Sequence, residues 1–255
     1  MKKILALLLV CVLALSFVAC SKDDTKKTND TTPDVKGEGV MTYAEYIAAE
    51  LETQVTIETY VQAKQGWWEK DGVGVATFYT QDKDGAYFIY DMPCSQEDYN
   101  KMVAGTKIKV TGYKKAWEGE IEIMDVSAYE IEEGSYIAPA FDVTALLSKE
   151  DELIKHQNEF VSFKGMTVEA AAEGSEAAYL YKWDGSGAEG DDLYFRVSVD
   201  GATYTFTVES YLCGADTEVY KAVKALKVGD KIDLEGFLYW YQGVNPHITA
   251  VTAAK

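Results

Sequence analysis

Arginine is almost missing from this chain: Arg196 is the one example in 255 residues. Proteins that read nucleic acid lean on arginine for two-pronged contacts to phosphates and bases. The formal net charge of −18 adds long-range repulsion against a phosphate backbone. Histidine is nearly as scarce, with only His156 and His247, and cysteine stops at Cys11, Cys20, Cys94 and Cys213. Two cysteines fall in the N-terminal leader described next, so the remainder can build neither a zinc cluster nor a disulfide framework. No Gly-rich phosphate loop, nucleophile motif or paired catalytic carboxylate pattern is present. The expectation is a protein with no catalytic residue, no cofactor and no metal.

A membrane-spanning run is also lacking, because the apolar stretch from Ile4 to Ala19 is too short for a comfortable bilayer crossing. With Lys2 and Lys3 ahead of it and Cys20 behind, the stretch has the layout of a secretory signal. Phe17-Val18-Ala19-Cys20 resembles the lipobox of bacterial lipoproteins. That resemblance implies a signal peptide over 1–19, acylation of Cys20, and anchorage in membrane lipid outside the cytoplasm. Ser21 to Val40 has too little apolar content to offset its chain entropy, so 20–40 is expected to be the acylated cysteine and a disordered tether.

Beyond the tether, the sequence repeats itself. Gly105 to Glu120 (GTKIKVTGYKKAWEGE) returns as Gly229 to Val244 (GDKIDLEGFLYWYQGV), which divides the rest into two similar domains, 41–136 and 137–255. Alternation puts Ile108 and Val110, or Ile232 and Leu234, on one face of a strand, and Gly119 and Gly243 mark the turn back into the last strand. Thr42 and Glu45 form a capping-box pattern ahead of a first helix. Strands are expected over Val55 to Val61, Val75 to Tyr79 and Ala86 to Tyr90, then a helix opened by Ser95, then strands over Thr106 to Tyr113 and Glu120 to Ile131. The second copy repeats this order, with helices capped at Ser148 and Asp216 and one extra hairpin at Ala178 to Trp183.

The order βββαββ is that of the OB-fold, a small Greek-key barrel. Phe78 to Tyr90 (FYTQDKDGAYFIY) followed by Gly105 to Ile123 resembles the OB-fold modules of bacterial exported proteins, including those appended to secreted nucleases. The expected class is all-β with short helices: two tandem five-stranded OB-like barrels. The resemblance implies a ligand-binding or spacer module and carries over no catalytic residue.

Such barrels bind along strands two and three, between the loops joining strands one to two and four to five. In the first domain this places Trp67, Trp68, Tyr79, Tyr87 and Trp117 where a ligand would lie. In the second it marks Trp183, Tyr239, Trp240 and Tyr241, with Asn245-Pro246-His247 alongside for polar contacts. The alternative is that these aromatics fill the barrel ends or the contact between domains. Lys107, Lys109, Lys114 and Lys115 form the one basic cluster, balanced by Glu118, Glu120 and Glu122, and read as a solvated strand face. Asp82, Asp84, Asp184, Glu189, Asp191 and Asp192 are explained by turn chemistry without calcium. Cys94 and Cys213 hold the same place in their repeats and are expected as free thiols, each packed in its own barrel.

The function expected from these features is a lipid-anchored, extracytoplasmic binding module that takes a glycan or a protein partner. The alternatives are an oligonucleotide binder accessory to an extracellular nuclease, with bases stacked on Trp67, Trp68 and Trp117, or a structural spacer in an envelope complex.

Overall fold

Thr42 and Glu45 hydrogen-bond each other's backbone N–H in a full capping box, which starts helix α1 (Tyr43–Ala48). Alternation then builds β1 (Gln54–Lys64), whose Val55, Ile57, Thr59 and Val61 face inward. These elements belong to a computed structural model that describes residues 35–254. The expected signal peptide and Cys20 lie outside the described residues. Of the expected tether only residues 35–40 are described, and there Lys36 is tied down: its Nζ lies 2.6 Å from a carboxylate oxygen of the buried Asp82.

After β1 come β2 (Trp68–Lys70), β3 (Val73–Gln81), β4 (Ala86–Pro93), helix α2 (Gln96–Lys101), β5 (Thr106–Trp117) and β6 (Glu120–Ser135). β1 pairs with both β3 and β5, β3 with β4, and β5 with β6. A parallel pairing of β4 with β6, Phe88 opposite Glu122, closes the ring. A closed five-strand ring with its one parallel joint between the third and fifth long strands is an OB barrel.

The second repeat has the same ring. Its elements are β7 (Phe141–Asp142), α3 (Glu150–Leu153), β8 (Phe160–Glu169), β9 (Tyr179–Tyr181), β10 (Leu193–Val199), β11 (Ala202–Val208), α4 (Glu218–Ala225), β12 (Lys231–Phe237) and β13 (His247–Ala253). β8 pairs with β10 and β12, β10 with β11, β12 with β13, and β11 meets β13 in parallel at Thr207 and His247. The expected extra hairpin strand is β9, paired on β10. The first barrel carries a shorter-looped counterpart, β2 on β3, which the sequence did not signal.

Two caps differ from expectation. Thr217, not Asp216, accepts from the backbone of Tyr220 and heads α4, while Lys149, not Ser148, holds the N-cap position of α3 and makes no side-chain cap. In both cases the apolar residues that must turn inward, Val219 and Tyr220 in α4 and Leu153 in α3, decide where the helix begins.

Each barrel has its own core, one around Ile57, Phe78 and Ile89, the other around Phe163, Phe195 and Phe206. A third, smaller cluster of Tyr79, Phe88 and Phe237 lies between them. The barrels are further stitched by polar contacts. Phe160 donates its N–H to Gln81 Oε1 at 2.7 Å, Gln157 donates to the carbonyl of Gly119 at 2.9 Å, and Gln242 donates its N–H to the carbonyl of Glu118 at 2.7 Å. The described residues therefore form one compact body rather than two beads on a string.

Candidate functional site

The loop between β1 and β3 sets the first wall. Trp67 is half-buried and its indole N–H donates to the Cys94 carbonyl at 3.1 Å. Its ring lies against Gly74, where an added Cβ would come within 2.3 Å of a ring carbon, so no other residue fits there without moving the indole. Trp68, next in line, faces outward and is 47% exposed.

A β-bulge supplies the floor. The pairing of β3 with β4 shifts register between Ala76 and Phe78, opposite Tyr90 and Asp91. Asp91 takes the left-handed conformation (φ 45°), a costly choice for a non-glycine residue. Its N–H is held by Thr77 Oγ1 at 3.1 Å. Bulges re-aim side chains, and this one brings Tyr90 and Asp91 to line the same cleft as Trp67 and Trp68.

The second barrel builds the opposite wall. Tyr239 stacks on His247, with ring centroids 4.3 Å apart, and packs edge-on against Phe88 at 5.3 Å. His247 is buried, its Nδ1 is 2.7 Å from the Tyr79 hydroxyl, and burial pushes its pKa down to about 3. It is a neutral structural imidazole at ordinary pH. Past β11, Glu209 accepts from the N–H groups of Tyr211 and Leu212 and from the side-chain amide of Gln65. Its carboxyl is raised to about 7 by burial and by nearby Asp192. Tyr211 stands 77% exposed at the rim, and its carbonyl accepts from the Gly66 N–H.

Together Gln65 to Trp68, Phe88, Tyr90, Asp91, Glu209, Tyr211, Tyr239 and His247 enclose a cleft of about 640 Å³. That volume suits a small ligand. Its walls are aromatic, and the charged groups among its lining residues are the carboxylates of Asp91 and Glu209.

Of the residues singled out from sequence, Trp67, Trp68 and Tyr239 meet at this cleft. Tyr79 lies beneath it, 1% exposed, and cannot stack on a ligand. Tyr87 is fully buried in the first core, where its hydroxyl donates to Asp82 and its ring meets Tyr43 and Tyr46. Trp240 is also buried, against Gly119, with its backbone N–H donating to Glu120 at 2.9 Å. Trp117, Trp183 and Tyr241 are exposed but do not line the cleft. Asn245 spends its side chain on Thr207.

Phe88, Tyr90, Asp91, Glu209 and Tyr211 were missed. Tyr90 and Asp91 leave a weak trace, since the β4 alternation breaks there. Glu209 and Tyr211 leave none, because only the docking of the two barrels carries them to the first barrel's binding face.

Three of the four lysines of the basic cluster are engaged, Lys109 being the fourth. Lys107 pairs with Glu58 and Glu132, and Lys115 with Asp125. Lys114 is no solvated strand residue: it is buried and donates to the carbonyls of Tyr46, Ile47 and Ala49 at the end of α1. Glu120 and Glu122 are likewise buried rather than surface counter-charges, and burial lifts both carboxyls, Glu122 to about 7. The turn carboxylates are taken up locally, Asp82 by the N–H groups of Asp84 and Gly85, Glu189 by Lys224 and Tyr181, and Asp192 by Ser210.

No family model and no curated protein matches the chain. Among solved structures, the tetrameric p202 HIN2 is similar at 10% identity, with a TM-score of 0.34 over 81% of this chain and 96% of that one. The wild-type single-stranded DNA binding protein from Thermus aquaticus is similar at 13% identity, with a TM-score of 0.26 over 81% of this chain and 95% of that one. A Replication Protein A heterotrimer bound to ssDNA gives 12% identity and a TM-score of 0.32 over 77% of this chain and 49% of that one. Likeness this distant bears on no ligand, and the OB assignment stands on the strand pairing above.

Proposed function

We propose that this chain is a non-catalytic binding module held outside the cytoplasmic membrane by acyl chains on Cys20, with a glycan as the ligand of the inter-barrel cleft. The observation that carries the reading is the cleft's lining: aromatic side chains beside the acidic residues Asp91 and Glu209. A volume of about 640 Å³ favours an oligosaccharide over the broad face of a protein partner. Nucleotide bases would also stack on Trp68 and Tyr211, but a phosphate backbone would meet Asp91 and Glu209 there, and Lys107, Lys114 and Lys115 are already engaged.

The test is a glycan and oligonucleotide array probed with the chain from Val35 onward, followed by a salt titration of any binder. Retention on glycans with little salt dependence supports the reading, whereas oligonucleotide binding that weakens steeply with salt replaces it. For the anchor, Cys20→Ala is expected to move the full chain from the membrane to the soluble fraction, since stable attachment needs more than one acyl chain. Variant protein that stays with the membrane removes the lipid anchor from the proposal.

A further inference from the structure

The cleft accepts more than a flat sugar face. Its rim already holds an ammonium group: Lys70 Nζ lies 5.9 Å from the centre of the Tyr90 ring and 2.8 Å from Asp91 Oδ2. Lys70 itself is half exposed and sits on β2, so the pair lies at the surface beside the site rather than in the core. A cation over an aromatic face with a carboxylate beside it is the arrangement that recognises organic ammonium groups.

The rest of the cleft extends the same chemistry inward. Trp68, Tyr90, Tyr211 and Tyr239 are among the lining residues, and so is Glu209, whose carboxyl burial raises to about 7. No lysine or arginine lines the cleft. A ligand ammonium that displaces Lys70 would take over its place between the Tyr90 ring and Asp91.

We infer that the cleft's ligand carries an ammonium group, and that it is an oligosaccharide of free amino sugars, recognised by cation–π contact with Trp68 and Tyr90 and by charge pairing with Asp91. This rests on the glycan reading given above and narrows it to one substrate class.

The experiment is calorimetric titration of the full-length chain in detergent, slightly below neutral pH, with two tetrasaccharides. One is a β-1,4-linked glucosamine oligomer with free amines, and the other is the same oligomer fully N-acetylated. The free amine form is expected to bind at least about tenfold more tightly, and Trp68→Ala or Asp91→Asn to weaken it by about tenfold each. Lys70→Met vacates the rim and is expected to tighten binding several-fold. Circular dichroism and thermal melting establish that each variant is folded.

Equal or tighter binding of the N-acetylated form overturns the ammonium inference and leaves the glycan reading standing. Binding of neither overturns the amino-sugar inference, and the glycan array then decides whether the glycan reading falls with it. Binding of the amine form that is indifferent to Trp68→Ala and Asp91→Asn overturns the assignment to this cleft, since it would reflect general attraction to an acidic chain.

Discussion

The Tyr79 hydroxyl of the first barrel and His247 Nδ1 of the second lie 2.7 Å apart in a site closed to water. Tyr79 also meets Phe237 at 4.7 Å and Phe88 at 5.0 Å between ring centres, so this one hydrogen bond sits inside the small aromatic core that joins the barrels. His247 in turn carries Tyr239, the inner wall of the cleft. The joint between barrels and the shape of the site are thus the same structure, and disturbing one disturbs the other.

The buried imidazole makes that joint sensitive to acid. Its folded pKa of about 3 lies far below the ordinary histidine value, because burial disfavours the charged form. Below about pH 6.5 the unfolded chain binds a proton that the folded chain refuses, so stability falls as pH drops from there toward 3. At pH 4.5 the loss from this group is about 3 kcal/mol. Glu122 and Glu209, both raised to about 7, work the opposite way: their contribution is complete below the free-carboxylate value and is lost as pH rises through 7. His247→Gln is therefore expected to flatten the acid side of a melting-temperature profile. Tyr79→Phe, which strips the imidazole of its hydrogen-bond partner, is expected to cost roughly 1–3 kcal/mol at neutral pH. An unchanged acid limb in His247→Gln would contradict the assignment.

Much of the fold was legible in the sequence because alternation is a local signal. Ile108, Val110, Ile232 and Leu234 turned inward as the two copies of the repeat implied, and the Thr42 capping box formed as read. What local pattern does not encode is which surface one barrel turns to the other. Tyr79 and Trp240 read as ligand platforms because aromatics at those positions of a lone barrel would be available. Tyr79 is buried under Phe237 and His247 of the second barrel, and Trp240 packs in the core of its own barrel and against Gly119 of the first. Lys114 misled for a related reason: its strand alternates polar and apolar residues as an exposed strand does, and only the return of α1 over that face buries it.

Lys114 accordingly gives a sharp test of packing. Three carbonyls at the end of α1, those of Tyr46, Ile47 and Ala49, share its ammonium at 2.8–2.9 Å. A cation there satisfies helix-end acceptors and complements the helix dipole. Lys114→Met keeps the stem's packing and removes the donors, leaving buried carbonyls unpaired. The expected cost is about 2–4 kcal/mol in denaturant unfolding, whereas Lys109→Met on the same strand should cost under about 0.5 kcal/mol.

Glu120 offers the reverse case, a charge change that should be harmless. One carboxylate oxygen accepts from the Trp240 N–H at 2.9 Å and from the Gln157 amide at 3.2 Å. The other oxygen is buried without a partner, and so is Asn158 Oδ1. Two buried acceptors in want of a donor are both served if the carboxyl is protonated, in keeping with a pKa that burial drives well above the usual carboxylate range. A raised folded pKa adds stability below the free-carboxylate value and loses it as pH rises through the folded one. Glu120→Gln supplies a permanent donor, so it is expected to match the parent in mild acid and to be the more stable protein at alkaline pH. A variant that is less stable at every pH would show that the charged form is needed.

The two described cysteines close the account of the cores. Cys94 and Cys213 are both free and buried, each packed in the core of its own barrel. Burial raises the thiol of Cys94 to about 11 and that of Cys213 to about 12, with Asp98 and Glu209 adding to the effect. Thiolate is the reactive form, so at neutral pH each side chain is both inaccessible and almost wholly protonated. Cys94 is further fixed by its neighbours: its N–H donates to the Gly74 carbonyl at 2.9 Å and its carbonyl accepts from Trp67. The first barrel therefore cannot expose this thiol without loosening the Trp67 wall of the cleft. Alkylation of the native chain, followed by mass spectrometry, is expected to leave Cys94 and Cys213 unmodified, and denaturation without reductant to make both fully reactive. Rapid labelling of native Cys94 would mean that the loop carrying Trp67 opens on its own. A mass short by two hydrogens in the denatured, unreduced chain, with Cys94 and Cys213 in one cross-linked peptide, would contradict the separate cores.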